Sequence, residues 1–226
     1  MKKLIYMLAS IAFLTACHSQ TATENKAETT QVTATSEQTT RTTQKSNGQA
    51  DLSLGIQMLV NKKHKLPADY NPGENPIAGE KVRELIQKMQ ELGFSISNQY
   101  SGFRSYEYQT QLYQNYVNKD GKEAADTYSA RPGYSEHQTG LAFDILNGAG
   151  GLLGENPQDE KAIGWLHSHA HEYGFIVRFQ EGKEDITGYQ AEAWHLRYVG
   201  DIAKKIYTSK QTLEEYMGVE GGNYAD

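Results

Sequence analysis

The chain is poor in cysteine, in positive charge and in long apolar runs. Cys17 is the one cysteine among 226 residues. An intrachain disulfide is therefore excluded, and the core must hold by packing alone. A thiol mechanism has only this one residue, beside an apolar N-terminal stretch, and is set aside. Basic residues number 22 against 28 acidic, a net charge of −6. That balance argues against a nucleic acid held through many phosphate contacts. Hydrophobic residues make up 38%, below the usual globular share, so part of the chain is expected to stay outside any core. The apolar run from Leu4 to Ala16 is 13 residues, too short for an ordinary spanning helix. The glycine-rich stretch 147–154 has neither a Lys-Ser or Lys-Thr pair nor GxGxxG spacing, and reads as a turn.

Residues 1–16 have the form of an export signal: a basic start at Lys2 and Lys3, then the apolar run. Leu14-Thr15-Ala16-Cys17 resembles the lipobox of bacterial lipoproteins. That resemblance implies cleavage before Cys17, lipid on its sulfur and an acylated amino terminus. The alternative is a plain secretory signal with an incidental cysteine. From His18 to Ala50 the chain has ten Thr, five Gln, one bulky aliphatic (Val32) and no aromatic. Such a segment cannot bury enough apolar surface to offset its ordering entropy. Residues 17–50 are expected to be a lipidated, disordered tether. A coil of this length spans roughly 30 Å root-mean-square. Without Lys2 and Lys3 the mature chain has 20 basic and 28 acidic residues, −8, which favours a tether over adsorption to anionic lipid. The expected location is extracytoplasmic, anchored to a bacterial membrane.

Residues 51–226 read as one domain. Apolar spacing predicts helices over 80–92 and 106–118, with Ser105 as N-cap of the second. A third starts at Asn156-Pro157 and runs to about Tyr173, and short helices cover 201–207 and 213–217. Strands are expected over 55–60, 94–97, 141–145, 174–179 and 193–199. Residues 61–79 and 120–133 read as loops, and 181–188 as a polar turn.

Two stretches carry the chemistry. Ser135-Glu136-His137-Gln138-Thr139-Gly140-Leu141-Ala142-Phe143-Asp144 pairs an imidazole with a carboxylate, and Glu192-Ala193-Trp194-His195 supplies one more of each. Two His and one Asp (His137, Asp144, His195) form a set that zinc accepts, with a fourth position left for water. Glu192 is then placed to take a proton from that water. Period-two alternation puts Asp144 on the cleft face of its strand and Phe143 in the core. Glu192 and His195 are three apart and would face opposite ways on a regular strand, so Glu192 should sit in a loop or a bulge. Arg104 lies just before a helix start, either as a surface arginine paired with a carboxylate or as a substrate contact. His167, His169 and His171 are a decoy. The first and last are four apart, but no Glu follows His167 as in His-Glu-x-x-His, so they read as structural or surface histidines.

Ser135-x-His137-x-x-Gly140-x-Ala142-x-Asp144 and Glu192-x-Trp194-His195 resemble the two motifs of the VanY-type D-alanyl-D-alanine carboxypeptidases. Ser101-Gly102-Phe103-Arg104-Ser105 with Gln109 is similar to a third segment of that family, with Phe103 in place of Tyr, and Trp165-Leu166 and Tyr173-Gly174-Phe175 also look like it. Ser129 to His137 and the lipoprotein form most resemble the LdcB/DacB-type L,D-carboxypeptidases. The resemblance implies an α+β fold with a small antiparallel sheet carrying one zinc. It implies His137, Asp144 and His195 as ligands, Glu192 as general base and Arg104 as the group that steadies the scissile carbonyl oxygen. Ser135, Gln109 and Trp194 would line the substrate site. The implied partner is the peptidoglycan stem peptide, with release of terminal D-alanine, and a monomer is expected.

A different class of reading is an idle cell-wall binding module with structural zinc. Structural sites are usually closed by four protein ligands, so three ligands plus a spare Glu192 favour catalysis. An endopeptidase acting within crosslinked stems depends on cleft openness, and L,D against D,D cleavage on pocket shape.

Overall fold

The computed structural model describes residues 48–225. The lipobox, Cys17 and the signal lie outside the described residues, as does all but the last three residues of the tether. Among the described residues, four strands form one antiparallel sheet: β1 (Ile96–Ser101), β2 (Ala142–Asn147), β3 (Phe175–Phe179) and β4 (Glu192–Tyr198), in the spatial order β1-β2-β4-β3. The helices are α1 (Pro76–Glu91), α2 (Tyr106–Asp120), α3 (Lys122–Tyr128), α4 (Glu160–His169), α5 (Glu184–Thr187), α6 (Ala203–Ser209) and α7 (Leu213–Met217). The class is α+β, as the sequence implies.

One face of the sheet packs on the main core; the other carries the cleft and, at Ile176, a second buried apolar cluster. Phe143, Ile145 and Leu196 are fully buried and pack with Val82, Leu85, Ile86 and Met89 of α1 and Leu166 of α4. Each such side chain contributes about 1.5–3 kcal/mol by leaving water. The apolar stripe of α1 recurs at three- and four-residue spacing, which faces all four residues inward. Asn75 caps α1 by accepting from Ala78 N at 3.0 Å, and Pro76 supplies a preset first turn, so the helix starts four residues earlier than the spacing alone predicts.

Several boundaries differ from the sequence reading. No strand forms over 55–60: Leu52–Gln57 is a 3-10 turn capped by Asp51, and Gly55 takes φ +55°, which breaks an extended run. Ala50, read as the last residue of the tether, is buried, and its N donates to Lys65 O at 2.9 Å. The strand expected at 94–97 is displaced to Ile96–Ser101. The loop expected at 120–133 contains α3, whose Ala125 is buried, and the turn at 181–188 winds into the single turn of α5. The helix expected up to Tyr173 is α4 flanked by 3-10 turns at Pro157–Asp159 and Ala170–Tyr173.

Candidate metal centre

Backbone register assembles the site. Asp144 is the direct cross-strand partner of His195 on one side and of Ser101 on the other. Directly opposed residues share a face, so Ser101, Asp144 and His195 form a row across three strands on the cleft side. His137 enters from the 3-10 turn Glu136–Thr139 just before β2. Gly140 ends that turn at φ +73°, and a Cβ there would lie 2.1 Å from the carbonyl oxygen of Gly73. Only glycine meets both demands, and the tight turn brings His137 over the sheet.

Glu192 reaches the same place through a bulge. Val177 pairs with Leu196, but Phe179 pairs with Glu192, so two steps on β3 oppose four on β4. The two extra residues turn Glu192 to the side of His195, and Glu192 Oε2 lies 3.1 Å from His195 Nδ1.

The ligand geometry suits one metal ion. Asp144 Oδ2 is 3.3 Å from His137 Nε2, and Asp144 Oδ1 is 3.4 Å from His195 Nδ1. Tetrahedral zinc with ligands at about 2.0–2.1 Å separates neighbouring ligand atoms by roughly 3.3 Å. One donor atom from each of the three residues lies within 4.8 Å of the others, and all three side chains are buried. Asp144 Oδ1 is buried and has no hydrogen-bond partner, so it has a lone pair to give. His137 Nδ1 lies 2.7 Å from Gly102 O, which fixes the proton on Nδ1 and leaves Nε2 bare for a metal.

Electrostatics point the same way. Burial, then the Arg104 charge, pushes the His137 imidazole down, toward the neutral form a ligand needs. Burial alone would raise the Asp144 carboxyl, but His137, His195 and Arg104 outweigh it and hold the group below the usual carboxylate range. Burial would lower His195, yet Glu136, Glu192 and Asp144 around it lift it to about 9. Three carboxylates around one imidazole make a place that favours positive charge. The Glu192 carboxyl is raised by burial, only partly opposed by His195.

Arg104 projects from the segment before α2. Its Nη2 donates to Ser101 Oγ at 2.8 Å and pairs closely with Asp144 Oδ2, so it stands at the edge of the ligand set, half-buried. Gln109, Ser135 and Trp194 line the same cleft of about 290 Å³, with Tyr134, Tyr189 and Phe179. Gln109 Nε2 donates to Ala130 O at 2.7 Å, while its buried Oε1 has no partner. The decoy histidines stay apart: His167 Nε2 meets Ala193 O at 3.0 Å, His169 stacks on Trp165 and His171 on Tyr207. None of them joins the ligand group found among the described residues.

Sequence reasoning missed Glu136. Its Oε1 accepts from Arg178 Nε and Arg197 Nη1, both at 2.8 Å, and its Oε2 stands 3.6 Å from His195 Nε2. Arg178 and Arg197 are buried on β3 and β4. A signal existed: an arginine inside an apolar strand such as Phe175–Phe179 demands a buried carboxylate.

Comparison with known proteins agrees with the motifs. The family model described as VanY, D-alanyl-D-alanine carboxypeptidase, matches residues 73–201, more than half of the chain. A D-alanyl-D-alanine carboxypeptidase of Enterococcus faecalis is 33% identical over 181 residues, covering 72% of this chain and 66% of the relative. Among solved structures, the L,D-carboxypeptidase DacB from Streptococcus pneumoniae is 61% identical, with TM-score 0.71, over 74% of this chain and 89% of that one. A variant of the vancomycin-resistance D,D-pentapeptidase VanY in complex with Zn(II) is 32% identical, with TM-score 0.61, over 72% of this chain and 98% of that one. With its motifs, fold and ligand cluster in agreement, the chain belongs to the VanY family of D-alanyl-D-alanine carboxypeptidases.

Proposed function

We propose that this protein is a monomeric, zinc-dependent peptidoglycan carboxypeptidase. It releases the terminal D-alanine of stem peptides, by L,D-cleavage of tetrapeptide to tripeptide. The observation that carries the reading is the three-residue cluster with a fourth carboxylate, Glu192, against its edge. A Zn(II) complex of the related D,D-pentapeptidase supports the choice of metal. His137 Nε2, Asp144 and His195 Nδ1 would hold zinc. Bound zinc lowers the pKa of water toward neutrality and polarises a carbonyl.

The chain's own residues do the rest. Glu192 takes the proton from the attacking water and passes it to the leaving amine. Its buried carboxylate, with an affinity for protons above the ordinary, suits both halves of that task. Arg104 stays cationic and can meet negative charge developing on the scissile oxygen. Gln109, Ser135 and Trp194 form walls that orient the peptide end, and the unpartnered Gln109 Oε1 is an acceptor for a substrate N–H.

The L,D preference is supported by 61% identity to an L,D-carboxypeptidase against 32% to a D,D-enzyme. A pentapeptide would place a D-configured residue before the scissile bond, its side chain aimed away from a pocket built for an L-residue. Comparing kcat/KM on tetrapeptide and pentapeptide stems tests it. Faster release from pentapeptide would return the enzyme to D,D-cleavage with the zinc site intact.

The tether completes the proposal. Cys17 would be lipidated and hold the domain outside the cell on its membrane, where the stems lie. Cys17→Ala should remove the acyl label and shift exported protein from the membrane to the soluble fraction. Unchanged membrane retention without acyl label would refute the anchor.

A further inference from the structure

His195 offers one nitrogen to the ligand set and turns the other away from it. Nδ1 faces Asp144 Oδ1 at 3.4 Å and Glu192 Oε2 at 3.1 Å. Nε2 points behind the site, where Glu136 Oε2 stands at 3.6 Å. Both Nε2 and Oε2 are buried, and neither has a hydrogen-bond partner. Glu136 cannot swing elsewhere. Its other oxygen, Oε1, is held by Arg178 Nε and Arg197 Nη1, each at 2.8 Å. Arg178 is gripped in turn by Glu214, with Nη1 to Oε2 at 2.8 Å and Nη2 to Oε1 at 2.6 Å. Arg197 Nη2 donates to the carbonyl of Met58 at 2.6 Å and to that of Ile56 at 3.1 Å. The cluster holds two carboxylates and two guanidiniums, so it is neutral as a group.

We propose that Glu136 is a positioning residue for the metal: its Oε2 accepts the Nε2 proton of His195 and so commits Nδ1 to the ion. This rests on the zinc-site reading above and deepens it. The reason is tautomeric. A neutral imidazole has one bare nitrogen, and the acceptor at the far side decides which one it is. A carboxylate there also makes the ligand nitrogen more basic. Two buried arginines fix the carboxylate in charge and place, and Glu214 anchors Arg178 from the side away from His195. His137 is handled by a simpler device, the Gly102 carbonyl on its Nδ1. The site thus orients one histidine with a backbone oxygen and the other with a charge-clamped side chain.

Two variants and one measurement on the unaltered protein test this. Zinc affinity is read by competition with a chromophoric chelator, on protein shown to be folded by near-UV circular dichroism. Glu136→Gln should weaken zinc binding 10- to 100-fold, the usual effect of losing such an outer partner. Glu214→Gln disturbs the same buried cluster without touching His195, and should leave zinc affinity within about threefold, below that range. Equal losses in the two variants, or none in Glu136→Gln, would make Glu136 a purely structural residue and overturn the proposal. If Glu136→Gln does not fold, the zinc-loaded wild-type protein still decides. Long-range proton–nitrogen NMR should show His195 bound through Nδ1, with a slowly exchanging proton on Nε2. Metal on Nε2, or a proton on Nδ1, would overturn it. Failure of the wild-type protein to bind zinc at all would instead refute the zinc-site reading itself.

Discussion

Replacing Glu192 by glutamine should leave a folded, zinc-loaded protein that barely turns over. The substitution keeps the shape of the side chain and removes only its capacity to take a proton. Glu192 lies outside the three-ligand group, so zinc content should stay near one per chain. Its side chain is 9% exposed and its carboxyl is raised by burial, so an uncharged isostere removes a desolvation cost. It also removes one negative charge 3.1 Å from His195 Nδ1, a nitrogen that bound metal would otherwise satisfy. Tm should therefore move by less than about 4 °C, the shift that ~1 kcal/mol gives a domain of this size. Loss of a general base costs about 10²–10⁴ in rate. At about 1.36 kcal/mol per decade, that is roughly 2.7–5.4 kcal/mol of transition-state stabilisation. The assay is D-alanine release from a tetrapeptide stem, alongside metal analysis and thermal melting. Turnover within tenfold of wild type, with zinc retained, would show that another group takes the proton. Loss of zinc would make Glu192 a ligand and leave the general base to another group.

Two further outcomes follow from the same geometry. His137→Ala should lose most of its zinc, whereas the double variant His167→Ala/His171→Ala should keep it, because those rings serve Ala193 O and the Tyr207 stack; the opposite pattern in metal analysis would reassign the site. Gly140→Ala should lower the urea midpoint and weaken zinc binding together. The left-handed backbone costs about 1–2 kcal/mol for an L-residue, and the added methyl meets Gly73 O at 2.1 Å. An unchanged midpoint would mean that the turn carrying His137 relaxes freely.

Much of the site could be read from the sequence because its signals are local. His137 and Asp144 are seven residues apart around one turn, Gly140 marks that turn, and the alternation of β2 alone sets Asp144 opposite Phe143. Helix α1 announces its buried face in its spacing, and the isolation of His167 and His171 follows from their lack of a partner motif. Even the irregularity at Glu192 is deducible, since a spacing of three cannot serve one ion from a regular strand. Local patterns failed where a glycine or a burial event overruled them: Gly55 turned an expected strand into a 3-10 turn, and burial of Ala125 helped wind an expected loop into α3.

What the tertiary structure decided is register and what lies beneath the site. The pairing of Asp144 with both His195 and Ser101 joins residues up to 94 positions apart, and no local pattern contains it. The same holds for Glu136, which looks like a spacer in its motif. Its meaning comes from Arg178 and Arg197, delivered 42 and 61 residues later by two other strands. The amino-acid types set the chemistry available, because a carboxylate or imidazole keeps its character wherever it lies. Which of them meet, and which imidazole nitrogen faces the ion, depends on strand pairing and burial, and only the folded chain fixes those.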